Sequence, residues 1–85
     1  MQSFEYEIQD EHGIHARPAG QLAKIAKDFD SELTITKESK TVSLKKLMAL
    51  MGMGVRKGDR VTVSAVGSDE RKAIDSLKSF IEENL

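Results

Sequence analysis

Two periodicities share this chain and between them fix what it can become. Phe4, Tyr6 and Ile8 alternate with Glu5 and Glu7, and Val61, Val63 and Ala65 alternate with Thr62 and Ser64. A period of two puts the apolar members on one face of a strand and leaves the other face wet. Leu33 with Ile35, and Val42 with Leu44, mark two shorter strands of the same kind. Elsewhere the period is helical. Ala19, Leu22, Ala23, Ala26 and Phe29 form one buried stripe, and Ala73, Ile74, Leu77 and Ile81 form another.

The punctuation sets the order. Gly13 marks a turn, and Pro18, tolerated only in the first turn of a helix, predicts a helix start near Ala16. Lys37-Glu38-Ser39-Lys40 reads as a hairpin turn, although it lacks the favoured Asn-Gly. A short helix is expected from about Lys45 to Met53, ended by Gly52 and Gly54 through their access to the left-handed conformation. Gly67-Ser68-Asp69-Glu70 reads as a turn and helix start, with acids where the helix dipole favours them. The order is β-α-β-β-α-β-α. Strands with alternating wet faces predict an α+β fold, an antiparallel sheet carrying helices on one side. With 85 residues and no linker or repeat, the chain reads as one domain spanning 1–85.

Composition narrows the function classes. There is no cysteine, which excludes a disulfide framework and a thiolate zinc site and is compatible with a reducing compartment. The segment Met1 to Asp10 carries early acids and cannot be a signal peptide. The apolar run around Leu47 to Val55 is interrupted by glycines and too short to span a bilayer. Thirteen bases against 14 acids argue against a general nucleic-acid binder. The bases are nevertheless clustered. Lys37, Lys40, Lys45, Lys46, Arg56, Lys57 and Arg60 share one segment with only Glu38 and Asp59, a pattern that suits either a solvated face or an acidic partner surface.

Gly13-Ile14-His15-Ala16-Arg17-Pro18 carries the chemistry. A helix leaves its first N–H groups unpartnered, and most helices satisfy them with Ser, Thr, Asp or Asn at the cap. None occurs between Gly13 and Pro18, so the amides of Ala16 and Arg17 are open to an anion. Arg17 adds a guanidinium fork suited to phosphate oxygens. The positive helix end disfavours a second proton on His15, which leaves a neutral imidazole as a nucleophile for a phosphoryl group. Because a residue before proline resists the helical conformation, strain is expected at Arg17.

These residues resemble a known family. Gly13-Ile14-His15-Ala16-Arg17-Pro18-Ala19 is similar to the active-site motif of HPr, the histidine-containing phosphocarriers of the bacterial phosphoenolpyruvate:sugar phosphotransferase system. Ser43-Leu44-Lys45-Lys46-Leu47-Met48 with Met53-Gly54-Val55 resembles the family's second-helix segment, and Gly67-Ser68-Asp69-Glu70 with Ala73-Ile74 resembles the start of its last helix. The resemblance implies an open-faced β-sandwich, a four-stranded antiparallel sheet with three helices on one face. It implies a cytoplasmic carrier, monomeric by default, with no metal or organic cofactor. The carrier would itself not be an enzyme. His15 would accept a phosphoryl group on Nδ1 from enzyme I and pass it to IIA domains of sugar permeases, with Arg17 neutralising the phosphate. Transcriptional regulators would be further partners. An exposed apolar patch at Leu47, Met48 and Met51 would dock them, framed by Lys24 and Lys27, while Leu50 stays in the core.

The chain departs from the family pattern at Lys46. Many Gram-positive members carry there a serine that a kinase phosphorylates, and lysine cannot take that role. With Lys45 it is expected to join an acid-seeking docking face. Gly20 replaces a bulkier residue and lowers helix propensity. Three other functions would draw on residues of this chain. His12 and His15 have chelating spacing, but a structural zinc site would need Asp10 or Glu11 to complete it, so His12 reads as a turn residue. A purely regulatory binding module would have the same fold without the active histidine. RNA binding through Gly54-Val55-Arg56-Lys57-Gly58 lacks aromatics on which bases could stack.

Overall fold

The computed structural model describes residues 1–85. Its elements are β1 (Gln2–Glu7), α1 (Ala16–Lys27), β2 (Glu32–Lys37), β3 (Lys40–Ser43), α2 (Leu47–Met51), β4 (Arg60–Val66) and α3 (Glu70–Asn84). The strands form one sheet in the order β1-β4-β2-β3, antiparallel throughout. This is the antiparallel sheet carrying helices that the alternation predicts, and the open-faced β-sandwich that the resemblance implies.

The register shows why alternation decides the fold. Phe4, Val63, Ile35 and Val42 lie side by side across all four strands. The next rows along the strands, Ser3-Ser64-Thr34-Ser43 and Glu5-Thr62-Thr36-Thr41, are polar. Successive residues point to opposite faces, so one face is apolar and the other carries hydroxyls. The helices cover the apolar face. Ala19, Leu22, Ala23 and Ala26 of α1, Leu50 of α2, and Ala73, Ile74, Leu77 and Ile81 of α3 are buried. Alanine at four of these positions lets helix backbones approach the sheet closely. The core is one cluster of 19 buried residues.

Several boundaries differ from the sequence reading. Ile8 and Leu44 are fully buried but lie just beyond the ends of β1 and β3. Phe29 is not part of the α1 stripe. The helix ends at Lys27 with Asp28 as its cap, and Phe29 packs half-buried against the core from the following turn. The second helix is shorter than the expected span from Lys45 to Met53. Of its two glycines, Gly52 caps it in the right-handed conformation (φ −71°) and only Gly54 is left-handed (φ 69°). The hairpin does form, with Lys37 opposite Lys40, and Glu38 takes the positive φ of 56° that a glycine or asparagine would adopt more easily.

One cluster ties the loop after α1 to the start of α3. The Asp69 carboxylate accepts from the N–H of Asp30 at 2.8 Å, from the N–H of Ser31 at 2.9 Å, and from the Ser31 hydroxyl. Gly67 packs against the same serine, where a Cβ would lie 2.6 Å from Ser31 Oγ and 2.7 Å from its Cα. Gly67→Ala is therefore expected to destabilise the fold by about 1–3 kcal/mol, the range for overpacking. Gly20 is the opposite case: an added Cβ meets nothing within 4 Å. Gly20→Ala should stabilise by about 0.5–1 kcal/mol through helix propensity. Urea unfolding of the two variants checks both signs.

Three carboxylates are held below their ordinary range. Asp69 is lowered by the Ser31 hydroxyl and then by the Asp30 N–H, Asp59 by Lys37 and then by the Arg56 N–H, and Glu70 first by the Gly67 N–H. The unfolded chain then binds protons more readily than the folded one, so stability is complete above the unfolded values and is lost as pH falls through the folded ones. Those ordinary values are 3.8 for the two aspartates and 4.5 for the glutamate. The thermal midpoint should hold steady down to about pH 5 and fall steeply below it. In Asp69→Asn the fall should be shallower and start from a lower plateau.

Candidate functional site

The site begins at the turn ahead of α1. The Asp10 carbonyl accepts from the Gly13 N–H at 3.0 Å, and the Asp10 carboxylate accepts from the His12 N–H at 2.8 Å. Gly13 then takes φ 64° and lies directly against the loop before β4. A Cβ there would come within 2.2 Å of the Val55 carbonyl oxygen and 2.7 Å of the Arg56 Cα. Ile14 donates its N–H to that same carbonyl at 3.1 Å and buries its side chain. The next residue, His15, is thereby fixed at the helix entrance by contacts its own side chain does not make.

His15 is the N-cap of α1, in extended backbone, and no side chain caps the helix. The first turn contains no acid. The amides of Ala16 and Arg17 donate to no acceptor within the chain, and Pro18 at the third position has no N–H to offer. His15 and Arg17 are both exposed, and Arg17 pairs with no carboxylate. Arg17 is helical despite preceding a proline, so the steric resistance of that position is met inside the first turn. His15 and Arg17 line one pocket, next to the free amides at the helix start. Asp10, Pro18, Gln21 and Asn84 complete its walls.

The sequence reading named neither Gln21 nor Asn84. Gln21 was legible, since it sits four residues beyond Arg17 on the same helix face. Asn84 is brought in from the far end of α3 and carries no local signal. The ring of His12 stands 5.7 Å from that of His15, centroid to centroid, at 80°. No third His, Cys, Asp or Glu joins the pair in a cluster able to hold a metal.

The residues named for docking lie on α1 and α2, which pack against each other. Met48 is 78% exposed, Met51 38% and Leu47 36%, whereas Leu50 is buried. Lys24 and Lys27 are exposed in the last turn of α1. Lys46 is the exposed N-cap of α2. Lys45 is placed differently. It is half-buried, and its ammonium donates to the Phe29 carbonyl at 2.6 Å, drawn toward the loop after α1. Lys37 pairs with Asp59 at 2.8 Å and Arg60 with Glu5 at 2.9 Å. Of the seven clustered bases, only Lys40, Lys46, Arg56 and Lys57 keep side chains free of internal partners.

Comparisons with known proteins point to one family. The model of the family described as "PTS HPr component phosphorylation site" matches residues 2–83. The histidine-containing phosphocarrier protein of Mycoplasma superposes with a TM-score of 0.94 at 38% identity, over 96% of this chain and 93% of its own. HPr of Thermoanaerobacter tengcongensis gives 0.93 at 38% identity, over 98% and 93%. Crh, the catabolite repression protein of Bacillus subtilis, gives 0.79 at 34% identity, over 94% and 92%, in a structure described as a swapped dimer. No helix is long and apolar enough to cross a membrane. With a family match over nearly its whole length, the chain belongs to the HPr family of phosphotransferase-system phosphocarriers.

Proposed function

We propose that this chain accepts a phosphoryl group on His15 from enzyme I and passes it to IIA domains of sugar permeases. The observation that carries the reading is the absence of any internal partner for the Ala16 and Arg17 amides beside an exposed imidazole. In the accepting step the Nδ1 lone pair of neutral His15 attacks phosphorus. The N–P bond forms as the donor's bond to phosphorus breaks, and the ring keeps its single proton on Nε2. The charge arriving with the group rests on the two amides, the helix end and the Arg17 guanidinium. The passing step is the reverse, toward a nucleophile on the acceptor. The chain is changed by each transfer until it is discharged, so it is a carrier and not a catalyst.

Exposure suits the role, because partners must reach His15 from outside. The same partners would seat on Leu47, Met48 and Met51, with Lys24, Lys27 and Lys46 at the rim and Lys45 behind them. Methionine adapts its shape to more than one surface. The working form would be a cytoplasmic monomer.

Incubation with enzyme I and phosphoenolpyruvate, followed by mass analysis, tests the central claim. The native chain should gain one acid-labile phosphoryl group, and His15→Ala should gain none. No gain in the native chain, with an enzyme I that phosphorylates another carrier, would refute it. A second prediction concerns Lys46. A rim charge acts mainly on the association rate, so Lys46→Glu should slow transfer from enzyme I by about threefold to tenfold at low salt. Added salt should bring the two rates together. Equal rates at low salt would remove Lys46 from the docking face.

A further inference from the structure

The turn that delivers His15 also delivers a second imidazole. We propose that His12 is a protonatable partner of the phosphoryl group on His15, so that this chain holds its cargo more tightly as pH falls. The inference rests on the carrier reading above. It is carried by the ring contact of 5.7 Å at 80°, which sets one imidazole edge-on to the other. At that separation a phosphoryl oxygen on a His15 ring nitrogen can come within reach of the His12 ring, although His12 is not among the residues that line the pocket. His12 is exposed, and only its backbone N–H is engaged, by Asp10. Neither ring nitrogen has a partner: the neutral ring offers one N–H donor, and the protonated ring two.

The surrounding charges give His12 something to offset. Asp10 lines the His15 pocket, so an arriving phosphoryl group meets a carboxylate as well as a cation. Glu11 is exposed next to His12 in the same turn. Arg17 on α1 and Arg56, whose Cα packs on Gly13, keep their charge at every relevant pH. Asp59, behind Arg56, is taken up by Lys37 and the Arg56 N–H. Apart from His15 itself, His12 is the neighbour whose type gains charge between about pH 5 and 8. Protonation there and phosphorylation of His15 then favour each other by linkage.

The test is the equilibrium of phosphoryl exchange with enzyme I, measured for the native chain, His12→Gln and His12→Lys at about pH 5.5 and about pH 8.5. The pH dependence of enzyme I is common to all three and cancels in their ratios. Relative to His12→Gln, the native chain should hold the phosphoryl group about fivefold more favourably at the lower pH, the upper end for an exposed ion pair, and equally at the higher. His12→Lys should keep the advantage at both. A native-to-Gln ratio that does not change with pH overturns the proposal, as does a lysine variant that behaves like the glutamine one. A native chain that accepts no phosphoryl group at either pH overturns the carrier reading itself.

Discussion

The contact between Gly13 and the Val55-Arg56 backbone is the constraint on which the working end of the molecule depends. A helix start needs something to hold it, and the usual device is a side-chain cap worth about 1 kcal/mol. In α1 that device would defeat the purpose, because a cap would occupy the amides that make the anion site. The entrance is held instead from outside, by a glycine close enough to β4's leading loop to exclude any Cβ and by the Ile14 N–H on the Val55 carbonyl. The other long helix also begins without a side-chain cap, but with acids in place. At α3 the N-cap residue is Asp69 and the first turn carries Glu70, and both carboxylates are committed to backbone amides of the flanking loops. Both starts lack a side-chain cap, and they differ in charge: α3 carries acids that tie down the flanking loops, and α1 carries none.

Most of the fold was legible because period-two and helical patterns report burial, and burial is what the sheet and helices share. The apolar row Phe4-Val63-Ile35-Val42 is the alternation seen in the sequence, assembled across four strands. The misplaced boundaries have the same cause. Ile8 and Leu44 continue the alternation because they are buried, yet burial does not require a place in the hydrogen-bonded ladder. Phe29 continues the helical spacing after the chain has turned, since the core extends beyond the end of α1. Gly52 and Gly54 look alike as letters, and only the path of the following loop gives one a positive φ.

The uncapped helix start was legible for a local reason: it shows as a histidine and an arginine within three consecutive positions, with no Ser, Thr, Asp or Asn among them. What surrounds it was not, because it arrives through tertiary structure. Asn84 reaches the pocket from the last turn of α3, and the clustered bases are thinned by partners far away in the chain. Lys37 finds Asp59, Arg60 finds Glu5, and Lys45 finds the carbonyl of Phe29. The positive segment read from the sequence is therefore a smaller field in the folded chain, carried by Lys40, Lys46, Arg56 and Lys57. Lys46 alone among these caps α2, next to the exposed Met48.

Several positions on α1 and α2 break local rules. α1 lacks a cap and carries Gly20, whose missing Cβ would clash with nothing. α2 begins with a lysine where the dipole favours an acid, and exposes Met48 to solvent. Each of these choices lowers stability, and none is required by packing. The sheet and α3 follow most of the rules, but Glu38 in the β2–β3 turn takes a positive φ of 56° and α3 has no base in its last turn. A sequence selected for stability alone would spread its compromises or remove them. Those on the two helices near His15 fit the proposed reading, in which the surface must bind, release and bind again.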